Sequence, residues 1–300
     1  MQNNLKRKFI DDTPETDMPK LKQQRIDITN NSNSDNLSGM TWDSVNHSCA
    51  YDALFTVIYH IWCKNIHYWS QNFNQYGEHS QILVQGLNQV VQGQITLNNA
   101  RDNVRQALHI ECPAKFPYGT IGTDISDLLT YMLKNQNTLG TATEICSSCN
   151  YERELEIKPN SLIFITSSQF KSLNNTFLNW QESQGHCDSC EGVTNIRRKF
   201  NQNPGLVAFS IQVGGITINK AIKVTKISGP AITLPLKGII YLSNHHFSIH
   251  IITSEKNVWF HDGIATGSTC ILEGPLTNFS DKTLCKHNSG IAVAAIYAKN

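Results

Sequence analysis

Two pairs of cysteines constrain this chain more than any other feature. Cys146-Ser147-Ser148-Cys149 and Cys187-Asp188-Ser189-Cys190 are C-x2-C knuckles. Two thiolates three positions apart grip one metal ion from a tight turn. Two such turns complete a tetrahedral site with no open position, which is the pattern of structural zinc. Zn2+ is therefore expected at Cys146, Cys149, Cys187 and Cys190. A redox C-x-x-C pair is the alternative, but two copies without a βαβ pattern weigh against it. The run 161–166 between the knuckles reads as a strand, so the metal is expected to tie together two ends of a β-ribbon over about 143–200. That zinc is read as a staple of the fold.

The rest of the composition bounds the setting. Of 300 residues, 40% are apolar and 16% charged, enough for one large core or two ordinary ones. The formal charge is +1, so no global field recruits nucleic acid or anionic membrane. No apolar run approaches the roughly 18 residues of a membrane span. The N-terminal stretch lacks the apolar region of a secretory signal. Nine cysteines without such a signal point to a reducing compartment, nuclear or cytoplasmic. Residues 1–39, rich in Asn, Asp, Gln, Ser and Lys, read as a disordered tail. Lys6-Arg7-Lys8 and Lys20-Leu21-Lys22 with Arg25 resemble a bipartite nuclear address. A solvated tail with balanced charges is the plainer alternative.

Structure is expected from residues 40–42 onward. After Cys49, the residues Leu54, Val57, Ile58, Ile61 and Trp62 recur at helical spacing with one apolar face. Further helices are expected over 80–91 and 125–134. Thereafter short β-branched runs at 161–166, 205–213, 232–242, 247–253, 258–260 and 291–297 read as strands. A helical first half and a β-rich second half predict an α+β fold with helices and sheet segregated.

Cys49 stands where a loop becomes a helix. Ser48 is the N-cap candidate, which puts the thiol in the first turn, where free N–H groups and the helix dipole favour a thiolate. The bland alternative is a small buried hydrophobe, and Cys63, Cys112, Cys270 and Cys285 are read as such core or surface thiols. A thiol nucleophile needs a base, and the base needs an orienting partner. Late in the chain, two strands flank a Ser-Asn turn followed by His245-His246-Phe247-Ser248-Ile249-His250. The strand 258–260 then leads to Asp262 before a Gly turn. Adjacent antiparallel strands would let Asp262 hold Nδ1 of a histidine and leave Nε2 for Cys49. Spacing alone does not separate His245, His246 and His250. Surface histidines and a turn-forming Asp262 are the structural alternative.

Together these segments resemble the ubiquitin-specific proteases, papain-like cysteine peptidases with the chain order Cys, zinc-bearing fingers, His, Asp. The resemblance covers about residues 40–300 and is nearest the compact, divergent members of fungal genomes. Residues 46–55 resemble the family's Cys box, and Asp124-Ile125-Ser126-Asp127-Leu128-Leu129 echoes its Q-D-A helix. The knuckles match the fingers. Pro204-Gly205-Leu206-Val207-Ala208-Phe209 resembles the strand that follows them. The G-H-Y box matches His245-His246-Phe247, selecting His246, and the W-x-x-F-D box matches Trp259-Phe260-His261-Asp262. The resemblance implies a papain-like architecture, with an N-terminal helical lobe and a C-terminal antiparallel β lobe that carries the ribbon. It also implies a thiol-dependent isopeptidase with Cys49, His246 and Asp262 as its triad. The substrate would be ubiquitin or a ubiquitin-like modifier joined to lysine.

Two departures stand out. The family's oxyanion Asn lies five residues before Cys, where this chain has Ser44; Asn46 is the nearest amide and the candidate for that role, with backbone N–H groups at Cys49 as the alternative. The glycine of G-H-Y is His245, expected to narrow or redirect the channel for the substrate's tail. A catalytically weak or inactive module that binds a modifier or partner is the second reading. A zinc-dependent nucleic-acid binder, prompted by Arg197-Arg198-Lys199, is the third, and neutral charge argues against direct nucleic-acid binding.

Overall fold

The computed structural model describes residues 36–300 other than 135, 137, 158–160, 168, 202 and 227. The expected tail and both basic clusters lie outside these residues, apart from 36–39. Order begins slightly before residue 40, since Ser38 bridges Thr269 and Gly39 N–H donates to the Ser268 carbonyl.

The helix after Cys49 forms as its periodicity predicts. α1 (Cys49–Lys64) buries Leu54, Val57, Ile58, Ile61 and Trp62. α3 (Glu78–Val91) and α5 (Ile125–Met132) also follow expectation, whereas α2 (Ile66–Phe73) and α4 (Leu97–Glu111) are additional. α4 escapes a hydrophobic reading because two arginines, Arg101 and Arg105, sit on its buried face beside Ala100, Val104 and Leu108.

The strands assemble into two sheets. The larger runs β11 (Ile271–Pro275), β10 (Asn257–His261), β9 (His246–Ile252), β8 (Ile232–Ser243), β13 (Gly290–Ala298), β6 (Leu206–Ile211), β3 (Leu162–Ile165). β7 (Ala221–Val224) pairs with β8, and β12 (Lys286–His287) with β13. Period-two alternation splits this sheet into two apolar faces. Ala208, Ile240, Ile249, Ile251, Ala294 and Ile296 pack with residues of α1 to α5 in one core. Phe209, Ile239, Tyr241, Ile252 and Tyr297 pack with Leu173 and Phe177 of α6 (Leu173–Gln181) in the other. Gly238 lets α1 approach: a Cβ there would lie 2.4 Å from Val57 Cγ1.

The smaller sheet is the ribbon, in the order β2 (Glu152–Ile157), β1 (Gly140–Cys146), β5 (Val193–Phe200), β4 (Glu182–His186). It departs from expectation in one respect. The strand at 161–166 is β3, which leaves the ribbon and pairs in parallel with β6 in the main sheet, and α6 follows it there. The ribbon is thus two hairpins, one on each side of a detour through the body, and the pairing of the main sheet is not purely antiparallel. β3 is drawn away because Leu162, Ile163 and Ile165 find apolar partners in the body. The ribbon instead buries a polar cluster, in which Glu144, 4% exposed, accepts from Arg153 Nε at 2.6 Å and Thr194 Oγ1 at 2.8 Å.

Candidate active site

Cys49 is the first residue of α1 and only 7% exposed. Ser48 stands at the N-cap, yet its hydroxyl makes no capping bond. It donates instead to Asp52 Oδ2 at 2.6 Å and accepts from Asp43 N–H at 2.7 Å, which stitches the preceding loop to the helix. Beneath it, Arg101 Nη1 donates to Asp52 Oδ1 and to the Thr41 carbonyl, both at 2.6 Å. Both members of this ion pair are buried. Burial pushes the Asp52 carboxyl up and Arg101 pulls it back. Sequence patterning gave no sign of this network, in which Arg101 of α4 takes part while the other buried arginine, Arg105, donates to the Pro117 carbonyl.

His246 arrives at the site by a tight hairpin. Ser243 pairs with His246, so the loop is Asn244-His245 rather than Ser-Asn. Both loop residues have positive φ, 48° and 63°, the pattern of a two-residue type I′ turn that matches the strand twist. His245 therefore occupies a left-handed position where the family places glycine.

On the neighbouring strand, Asp262 follows β10 and does two things at once. Its Oδ1 accepts from the Ile264 and Ala265 N–H groups at 2.8 and 3.1 Å, which makes it a turn former. The same oxygen lies 2.8 Å from His246 Nε2. The expected ring orientation is thus reversed: Nε2 meets the carboxylate and Nδ1 is left for Cys49. Burial alone would lower the His246 pKa. The hydrogen bond with Asp262, then that with Cys49, and the charges of both, overcome this and raise it to about 9. Burial works against ionisation of Asp262 as well, yet His246 and the turn N–H groups hold its carboxyl below the ordinary value. Cys49, His246 and Asp262 are therefore brought together.

Asn46 is engaged at both ends of its amide. Its Nδ2 donates to Asp43 Oδ2 at 2.9 Å and its Oδ1 accepts from Gly119 N–H at 3.1 Å, leaving one amide hydrogen. The Cys49 N–H, in the first helical turn, finds no acceptor among the described residues.

The four knuckle cysteines also converge. Sγ atoms of Cys146 and Cys190 lie 3.5 Å apart, those of Cys149 and Cys187 3.7 Å, and all four within 4.8 Å. These distances exceed a disulfide bond and match the edge of about 3.8 Å of a tetrahedron with metal–sulfur bonds of about 2.3 Å. Both knuckles have the same build. Asn150 N–H returns to the Cys146 carbonyl and Glu191 N–H to the Cys187 carbonyl, with φ of 56° at both residues. Ser148 N–H points at Cys146 Sγ and Ser189 N–H at Cys187 Sγ, each at 3.4 Å. The N–H of Cys149, then that of Ser148 against desolvation, bring the Cys146 thiol down to about 6. The residues fit a zinc ion. Of the basic run nearby, Arg198 is not free: it donates to the Trp180 carbonyl and Ser183 Oγ and lies over the Trp180 ring.

No protein-family model matches the sequence, and no curated protein matches it. Solved structures do. A chain of the SAGA Ubp8/Sgf11/Sus1/Sgf73 DUB module bound to ubiquitin aldehyde is similar with a TM-score of 0.57 at 12% identity, over 87% of this chain and 69% of that one. A variant of the module bound to monoubiquitin gives 0.56 at the same identity and coverage. Another variant gives 0.55 at 12% identity, over 90% and 70%. At this identity the likeness is one of fold. No helix among the described residues is long and apolar enough to cross a membrane. The chain is similar in fold to the Ubp8 deubiquitinase module, a ubiquitin-specific protease, the family its motifs resemble.

Proposed function

We propose that the chain is a thiol-dependent isopeptidase that removes ubiquitin or a ubiquitin-like modifier from lysine, working in the nucleus or cytoplasm. Its architecture is papain-like, with a helical lobe carrying Cys49 facing a β lobe carrying His246 and Asp262. The observation that carries the reading is the contact of one histidine, His246, with both Asp262 at 2.8 Å and a cysteine at a helix start.

In its neutral form His246 takes the proton of the Cys49 thiol, and a pKa of about 9 favours the imidazolium of the resulting ion pair at neutral pH. The Cys49 thiolate attacks the carbonyl carbon of the modifier's C-terminal glycine, and the developing oxyanion is received by the Cys49 N–H and the remaining amide hydrogen of Asn46. The tetrahedral species collapses with cleavage of the C–N bond, and His246 gives its proton to the departing lysine amine. His246 then takes a proton from water, whose oxygen attacks the thioester and frees the glycine carboxylate. Breakdown regenerates thiolate and imidazolium. Asp262 stays ionised and orients the ring throughout. Zinc on Cys146, Cys149, Cys187 and Cys190 braces the ribbon and takes no part in the chemistry.

The test is labelling with propargylated ubiquitin and related modifiers, comparing wild type with Cys49→Ala. A single adduct lost in the variant supports the reading and names the modifier class. One observation favours the second reading: Asn46, the candidate oxyanion side chain, already holds Asp43 and Gly119. If Cys49 reacts with thiol reagents no faster than Cys63 or Cys270, the chain is a module that binds a modifier without cutting it.

A further inference from the structure

Three titratable side chains outside the proposed active site converge on one another: His250 of β9, Glu273 of β11 and His287 of β12. Their ligating atoms all lie within 4.8 Å. His250 is 1% exposed, which sets aside the alternative that it is a surface histidine. Its Nδ1 is 2.9 Å from the Tyr241 hydroxyl, and that hydroxyl donates its only hydrogen to the Leu284 carbonyl at 3.0 Å. Tyr241 can therefore only accept from His250, which puts the ring proton on Nδ1 and a bare lone pair on Nε2.

That lone pair faces a carboxylate. His250 Nε2 is 2.8 Å from Glu273 Oε2, and this buried nitrogen has no hydrogen bond of acceptable geometry. The other carboxylate oxygen, Oε1, is 2.9 Å from His287 Nε2. Two lone pairs at such a separation repel unless a cation lies between them. A second proton on His250 is one such cation, and a metal ion held by all three side chains is the other.

We propose that His250 Nε2, the Glu273 carboxylate and His287 Nε2 form a second metal site, for a divalent transition ion with zinc preferred. Two imidazoles and a carboxylate are a common zinc donor set, with water completing the tetrahedron. The Tyr241–Leu284 relay is the outer support such a site needs, since it fixes the tautomer and aims the ligating nitrogen. The side chains of Glu273 and His287 are 26% and 15% exposed, which gives an ion access to an otherwise buried nitrogen. Bound there, the ion ties the edge strand β11 and the short β12 to β9, the strand that begins with His246. The proposal does not depend on the peptidase reading.

The experiment measures zinc in the full chain, produced with zinc and freed of loosely bound metal, for wild type, Glu273→Gln and His287→Ala. Cobalt-exchanged samples are followed by absorption, which separates thiolate from nitrogen and oxygen ligation. Two zinc ions per wild-type chain and one per variant are expected. In cobalt the variants lose the weak visible bands while the thiolate charge-transfer band of the knuckles persists. If a variant fails to fold, the wild-type cobalt spectrum decides alone. A wild type with only thiolate-bound cobalt, or variants whose metal content and spectra match it, overturns the proposal and leaves a protonated His250.

Discussion

Replacing Asp262 by Asn is the sharpest probe of the proposed triad. Asn keeps an oxygen where Asp262 Oδ1 receives Ile264, Ala265 and His246, so it removes charge with little loss of hydrogen bonding. The His246 pKa of about 9 stands above its ordinary 6.5. At 1.36 kcal/mol per pH unit, that gap of roughly 2.5 contributes about 3 kcal/mol to folding. A raised histidine pKa stabilises fully below the unfolded value, and the contribution fades as pH rises through the folded one. It is therefore complete below about pH 6.5 and gone above about pH 9. An adjacent carboxylate accounts for roughly one to three pH units of such a rise. With about two lost, Asp262→Asn should be less stable than wild type by about 2–3 kcal/mol at pH 6. The linked part of that gap should vanish by pH 10. Urea unfolding across this range reads it out, with Cys49→Ser in both proteins so that no thiol titrates at the site. A gap that stays constant from pH 6 to 10, or widens with pH, means that Asp262 does not charge His246, and the triad fails with it.

Gly238→Ala should cost about 1–3 kcal/mol, because its Cβ would fall 2.4 Å from Val57 Cγ1. Val57→Ala should recover part of that cost in the double variant, and equilibrium unfolding checks both. Arg101→Met strands Asp52 in the interior and should destabilise by about 3–5 kcal/mol. A loss below about 1 kcal/mol would show that water reaches the carboxylate. Chelation of the knuckle zinc should speed hydrogen exchange over 140–157 and 182–200 and leave the amides of α1 and β9 protected. Uniform loss of protection would make the metal part of the whole fold's stability.

What could be read from the sequence followed the hydrophobic effect. α1 and strands β3, β6, β8, β9, β10 and β13 bury apolar residues at helical or alternating spacing and were legible, whereas β7, β11 and β12 were not anticipated. The ribbon strands were not, because ESQGH in β4 has no aliphatic or aromatic side chain but that of its His and ERELEI in β2 offers only Leu155 and Ile157 among charges. The cluster of knuckle cysteines and the buried Glu144 stand in for a core there. α4 was hidden by Arg101 and Arg105, although its capping box at Thr96 and Asn99 was a local signal that could have been read. The residues of the proposed triad were singled out only through motif order, since three histidines share one segment. The ring nitrogen that meets Asp262 depends on hairpin geometry, and so does the burial of His250. Neither is encoded in spacing.

The detour of β3 and α6 has a consequence for assembly. Each hairpin of the ribbon is local, but joining β1 to β5 closes a loop that runs through the body. The first pair of thiols leaves the ribosome well before the second, and closure across that interval favours a chain whose main sheet has already captured β3. Filling the tetrathiolate site would then mark a late step of folding, a check that the intervening chain has been threaded into place. By the same logic the ribbon is no detachable cassette: a deletion spanning both hairpins would also remove an edge strand and a helix from the body, and no clean cut separates the two.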